Sequence, residues 1–292
     1  MIYLESFTLP SADSEESFVL NYPYQLEMQC YNHDVYPFKI FPQKKLRRLE
    51  FEPVTLLYGS NGSGKSTLLN VICEKLRMDR SAPFNNTAYF DDFISRCDYS
   101  MFQRRSVPKG SKLIASDDVF DFLLDVRSIN EGISNRREEL FSQYEDASRN
   151  RFQLKSLDDY EVLKKHNDAK RLTKSQFVSR RLGNEASMGS NGESALAYFA
   201  KAIGDNALFL LDEPENSLSI KLQEELCRFV SDSARFFGCQ FIISTHSPVL
   251  LSMNEAVIYD LDSVPVTRKV WTELENVRRW FDFFEKHRNE FL

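Results

Sequence analysis

The chain has 292 residues, 42% hydrophobic and 27% charged, with 24 Phe and 12 Tyr, which is ample core material for one large or two small globular domains. A formal net charge of −6 excludes a generally basic coat for nucleic acid and leaves only local patches for such contacts. Five scattered cysteines without a CxxC pair fit reduced thiols. With no leader-like start and no apolar run of membrane-spanning length, the expectation is a cytoplasmic protein without membrane insertion.

In chain order, residues 2–9 and 25–32 partly alternate and predict strands of an edge sheet. "VTLLYG" at 54–59 is a buried-strand pattern ending at glycine, and "KSTLLNVICEKLR" after it predicts a helix. "KGSKLIAS" (109–116) reads as turn then strand, with a helix at "DDVFDFLLDVRS". Residues 130–187 are charged, proline-free and glycine-poor, so an exposed helical lobe is expected, with boundaries at 117–189. Strand and helix patterns then alternate again: "ALFLLDE", "LQEELCRFVSDSARFFG", "QFIISTH" and "AVIYDL". Alternation of this kind predicts an α/β domain with a mostly parallel sheet, here spanning 1–116 and 190–292 around the lobe.

Chemistry concentrates at three strand ends. Gly59, Ser60, Asn61, Gly62, Ser63, Gly64, Lys65 and Ser66 fit G-x-x-x-x-G-K-[ST] at every defined position, between a strand and a helix, with Thr67 following. Such a loop wraps phosphate with backbone N–H groups, its lysine reaches the outer phosphates, and its serine hydroxyl holds Mg²⁺. The predicted ligands are therefore a nucleotide and Mg²⁺. "ALFLLDEPENSLS" presents Asp212 and Glu213 at a strand tip, where ligands sit in α/β sheets: Asp212 for the metal and Glu213 as the base toward water. "QFIISTHSPVL" delivers His246 at an equivalent place, as a γ-phosphate contact. Lys65, Glu213 and His246 are the expected catalytic set.

"MGSNGESAL" (188–196) adds a second glycine-bearing turn before a helix. Read locally, Ser190 and Glu193 make a capping box. The order of motifs (phosphate loop, helical insert, Ser-x-Gly-Glu, "LLDEPE", "STHS") resembles ABC-type ATPase heads, including those of SMC and double-strand-break repair proteins and the stand-alone bacterial "AAA family" and OLD-like ATPases. The resemblance implies an ABC-type P-loop fold and a head-to-tail homodimer closed by ATP. In that dimer Ser190, Gly192 and Glu193 serve the partner's nucleotide, and Asn216–Ser219 crosses the interface. Two features depart from the family pattern: Gly189 replaces the usual signature leucine, and no clear glutamine loop follows "KLIAS" (Gln103 is an alternative); Tyr36 or Phe38 are the candidates for adenine stacking, with core packing the default for either.

The short stretch after His246 leaves no room for an appended nuclease, so a separate effector chain is expected, with phage defence or DNA repair as the setting by analogy. A transporter's ATP-binding subunit and a slowly hydrolysing nucleotide-gated scaffold are the alternatives. Nucleic acid or an acidic protein enters as a candidate partner through Lys164, Lys165, Lys170, Arg171, Lys174, Arg180, Arg181 and, separately, Arg104, Arg105, Lys109 and Lys112; a solvated helix face is the default explanation of these clusters. For Trp271, Trp280, Phe281, Phe283 and Phe284 near the C-terminus, core packing is the default expectation and a partner-docking surface the alternative.

Overall fold

The computed structural model describes residues 1–21, 35–125, 138–140, 142, 145 and 191–292. The chain divides into two compact units, Met1–Phe120 with Ala195–Leu292, and Asp121–Ser194. The predicted strand at 25–32, the basic cluster at 164–181 and Ser190 lie outside the described residues.

In chain order the elements are β1 (Leu4–Thr8), α1 (Ala12–Asn21), β2 (Arg48–Glu50), β3 (Val54–Tyr58), α2 (Lys65–Leu76), α3 (Phe90–Arg96), β4 (Asp98–Met101) and β5 (Lys112–Ala115). A helix over 116–125, α4, follows. Then come α5 (Asn191–Ala202), β6 (Leu208–Asp212), α6 (Ile220–Phe236), β7 (Gln240–Ser244), α7 (Pro248–Leu251), β8 (Val257–Asp260), β9 (Thr267–Lys269) and α8 (Glu275–Lys286).

Two sheets form. A six-stranded sheet runs β5-β6-β7-β3-β8-β9, parallel except for β9 at its edge; a three-stranded antiparallel sheet runs β2-β1-β4. This is the mostly parallel α/β fold with an antiparallel edge sheet that the sequence pattern predicts. β3 is buried at all five positions, as befits a strand covered on both faces.

Strand alternation sorts the side chains. In register, Leu57 pairs with Ser244 and Ser244 with Asp212, while Ile242 pairs with Leu210. These residues therefore share one face, because parallel partners in register point the same way. That face packs on α2: Leu57, Leu208, Leu210 and Ile242 join Leu68, Leu69, Val71 and Ile72 in one core, which continues through Phe41 and Phe93 to Leu4 and Phe7 of the antiparallel sheet. On the opposite face Phe209 stacks on Phe241, with centroids 5.6 Å apart. Helix α6 turns a stripe of Leu226, Val230, Ser233 and Ala234 inward at helical spacing and packs along β7.

Among the described cysteines, Cys73, Cys97, Cys227 and Cys239 are free. Burial pushes the Cys73 and Cys97 thiols up to about 12, so both are inert hydrophobes at neutral pH.

Candidate nucleotide site

The site lies where β3, β6 and β7 end together, and their register sets its geometry. Ser244 closes β7, the strand between β3 and β6, and its side chain lies on the face that α2 covers. Its hydroxyl donates to Asp212 Oδ1, and Ser66 Oγ, in the first turn of α2, donates to the same oxygen at 3.1 Å. Burial raises the Asp212 carboxyl above the usual range, against the pull of these two hydroxyls.

One residue further, the chain turns. Glu213 has φ 48° and ψ 55°, the left-handed region that costs a side-chain-bearing residue about 1–2 kcal/mol. The turn is held from below, since Glu213 N donates to Ser244 O at 3.1 Å and to Ser244 Oγ at 3.0 Å. In this conformation Glu213 Oε1 sits 3.1 Å from His246 Nε2 and 3.7 Å from Lys65 Nζ. Lys65 Nζ and His246 Nε2 are 2.7 Å apart. One ring nitrogen cannot serve both neighbours in the same way: it accepts from Lys65 in one tautomer and donates to Glu213 in the other. Asn216 Nδ2 donates to Glu213 Oε2 at 3.2 Å.

Lys65 is buried, and its ammonium also donates to Gly59 O at 2.9 Å and Ser60 O at 3.3 Å. Burial lowers its pKa, opposed by Glu213 and Asp212. A side chain on Gly59 would place its Cβ 2.5 Å from Ser63 Oγ, so only glycine permits this closed loop. Gly62 and Gly64 take φ of 79° and 95°. The loop is pinned from the β8 side: Asp262 accepts from Ser60 N at 2.6 Å and from Ser60 Oγ at 2.9 Å. Beside it opens a cleft of about 600 Å³ lined by Tyr58, Ser60, Asn61, His246 and Asp262, with Glu275, Asn276 and Arg279 of α8 as its outer wall. Thr67 Oγ1 receives the Tyr36 hydroxyl at 3.1 Å.

The residues present suit ATP and Mg²⁺. The loop is a cradle that a Cβ would fill, and Ser63 Oγ is buried without a partner among the described residues. The Ser66–Asp212 pair offers oxygen donors, the kind Mg²⁺ prefers.

Every predicted cis residue is thus brought to one place: the loop 59–67, Asp212, Glu213 and His246. Gly192 and Glu193 fall in the first turn of α5, one and two residues after its start at Asn191. Phe38 is buried against Phe18 and Phe93 and is no adenine platform; Tyr36 is only partly buried, 6.2 Å from Phe90. The glutamine-loop position carries Asp118, whose Oδ2 accepts from Ala115 N at 2.8 Å and caps the turn into α4. Gln103 is exposed in a left-handed turn. Core packing, the default for the C-terminal aromatics, is overturned: Trp271, Trp280, Phe281, Phe283 and Phe284 are all exposed, because α8 lies beyond the last strand and buries only Val277.

The sequence reading missed three supports. Ser244 needs the strand order to be recognised. Glu215, two residues after Glu213, folds inward on a 3₁₀ turn and is buried. Its Oε1 accepts from Thr245 Oγ1 at 2.6 Å, His246 N at 2.7 Å and Ser247 N at 3.2 Å, while Oε2 has no partner among the described residues. Burial raises its pKa. The third is Asp262.

A strand–glycine loop–helix unit, facing carboxylates from a neighbouring strand and a histidine from the strand between, defines a P-loop nucleotide-binding domain. The family model described as "ABC transporter" matches residues 48–216, more than half of the chain, and the chain belongs to that family of ATP-binding ATPase domains. A second model, an AAA domain whose description also names the AbiEii toxin and Type IV TA systems, matches residues 184–252. Similar solved structures include the Smc head domain of Pyrococcus furiosus bound to the C-terminal domain of ScpA (13% identity, 99% of this chain and all of that one, TM-score 0.44). A dimeric bacterial ABC transporter cassette (16% identity, 78% and 90%, TM-score 0.37) and the Thermotoga maritima SMC head (12% identity, 89% and 94%, TM-score 0.37) are also similar. No curated protein matches the chain. Among the described residues no helix is long and apolar enough to cross a membrane.

Proposed function

We propose that this chain hydrolyses ATP in a site completed by a second copy, and that the closing and opening of that dimer drives a separate effector or a nucleic-acid transaction. The observation that carries the reading is the convergence of Lys65, Glu213 and His246 within 4 Å of one another, beside the Ser66–Asp212 pair. Mg²⁺, when bound, offsets charge on the phosphate oxygens; Ser66 and Asp212 are the residues that would hold it. Glu213 takes the proton of the attacking water, and its left-handed turn aims it into the site for this purpose. His246 and Lys65 supply donors toward the terminal phosphate. Ser190, Gly192 and Glu193 of the second copy close the site, a role carried over from the family resemblance.

Exposed Arg104, Arg105 and Lys109 support an anionic partner. Phage defence or DNA repair is the setting proposed, by family analogy.

Glu213→Gln tests the reading. The amide keeps the shape of the side chain but cannot take a proton, so turnover falls ~10²–10³-fold while ATP binding persists, and Mg-ATP now accumulates dimers. A variant that hydrolyses at the wild-type rate, or that stays monomeric with Mg-ATP, would refute it.

A further inference from the structure

The apolar stripe of α8 starts in the core and ends in solvent. Leu274 and Val277 are buried, but Trp280, Phe281, Phe283 and Phe284 are 46%, 59%, 50% and 50% exposed, and Phe291 beyond the helix is 72% exposed. These rings pack largely on one another: Trp280 stacks on Phe284 at 5.9 Å between centroids and meets Phe283 at 6.2 Å, and Phe284 meets Phe291 at 6.2 Å. At such exposures, rings that bury 150–250 Å² each leave roughly 600 Å² of apolar surface per copy, close to the ~800 Å² a side of a standard interface.

The spacing indicates what covers it. Within α8, Val277, Phe281 and Phe284 recur at four and three residues, the spacing of a coiled-coil seam, of which Val277 faces the core and Phe281 and Phe284 face outward. Arg278 and Glu285 lie one heptad apart on one flank of that seam, and Trp280 and His287 one heptad apart on the other. Laid antiparallel against itself, with Phe281 opposite Phe284 of a second copy, the helix is self-complementary. Arg278 then meets Glu285 of the second copy, and Trp280 meets His287, each contact occurring twice about the two-fold axis. A parallel pairing opposes Trp280 to Glu285 and matches no charges. Glu275, Asp282, Glu285 and Glu290 balance Arg278, Arg279, Lys286 and Arg288, so the segment lacks the basic excess that an anionic membrane surface selects.

We propose that α8 pairs antiparallel with α8 of a second copy of this chain, in a dimer contact that needs no nucleotide. It stands or falls separately from the ATP-closed dimer proposed above.

Sedimentation velocity on the nucleotide-free full chain tests it. Wild type and Lys65→Ala both dimerise with rising concentration. Arg278→Glu or Glu285→Arg alone sets like charges opposite each other twice and weakens association about tenfold or more, and the double exchange restores it to within about threefold. Phe281→Ser with Phe284→Ser leaves monomers that bind ATP as wild type does, which shows the fold intact. The proposal is overturned if the nucleotide-free wild type is monomeric at about 100 µM, if neither charge reversal weakens the dimer, or if the double exchange is no better than the single ones. Wild-type monomers that bind anionic phosphatidylserine vesicles through these same rings would assign the face to a membrane instead.

Discussion

Replacing Glu215 with alanine is the sharpest probe of how the site is held. In the native chain Oε1 accepts from the Thr245 hydroxyl, from His246 N and from Ser247 N. Ser247 N has a second acceptor, Thr245 Oγ1 at 3.0 Å, so alanine strands two donors rather than three. Each buried donor left unpaired costs ~1–3 kcal/mol. Against this, alanine removes a carboxyl whose pKa burial raises and whose Oε2 has no partner among the described residues, which returns part of the loss. The net expectation is a destabilisation of about 2–3 kcal/mol in urea denaturation. The functional effect is larger. His246 N is tied by the Glu215 side chain to the turn that carries Glu213, so freeing it lets the imidazole leave the 3.1 Å contact with Glu213. A displacement of that order at a reacting centre costs ~10²-fold in rate. ATP binding, which rests on the loop around Lys65, is retained. A Glu215→Ala protein within about 0.5 kcal/mol of wild type, or one that hydrolyses ATP at the wild-type rate, would refute the reasoning.

Glu215→Gln gives a pH test with a definite sign. Because the folded-state pKa of Glu215 is raised, the native state binds its proton more tightly than the unfolded chain, and wild type loses stability as pH climbs above the ordinary carboxylate value through the raised one. The glutamine chain lacks this loss, so its melting temperature relative to wild type rises with pH across that window; a pH-independent difference refutes it. Gly59→Ala forces a Cβ to within 2.8 Å of Ser63 Cβ. The loop must open, with a stability loss of ~1–3 kcal/mol and ATP affinity down at least about tenfold in calorimetry. Ser244→Ala removes one of the two hydroxyls on Asp212 and the side-chain acceptor for Glu213 N. Turnover should fall about tenfold with KM for ATP near wild type, since the loop itself is untouched.

What the sequence disclosed and what it withheld divide along a physical line. The loop 59–67, Asp212, Glu213 and His246 are legible because each is a local event: an apolar strand ends, and the polar residue at its tip has nowhere to go but the ligand edge. The helix after the loop and the strands at 208–212 and 240–244 are legible for the same reason, as short apolar runs with punctuation. Strand order is not local. Nothing in "QFIISTHSPVL" says that β7 lies between β3 and β6, yet that placement makes Ser244 a bridge from the loop strand to Asp212. β2 and β9, three residues each, are too short to show alternation, and β4, "DYSM", alternates over only four residues, none of which is fully buried.

The aromatic C-terminus shows the converse error, where a strong sequence signal points the wrong way. Density of Trp and Phe predicts burial only if the chain still has uncovered sheet to bury them against. By residue 275 it has none: β9 closes the edge and pairs only with β8, and Val277 takes the last place in the core. The periodicity of α8 is therefore that of a core helix without a core, and the flank charges at Arg278 and Glu285 are arranged as in helices that meet their own copies. The same amphipathic logic that correctly seats α6 on β7 thus gives, one strand later, a surface whose missing layer belongs to another chain.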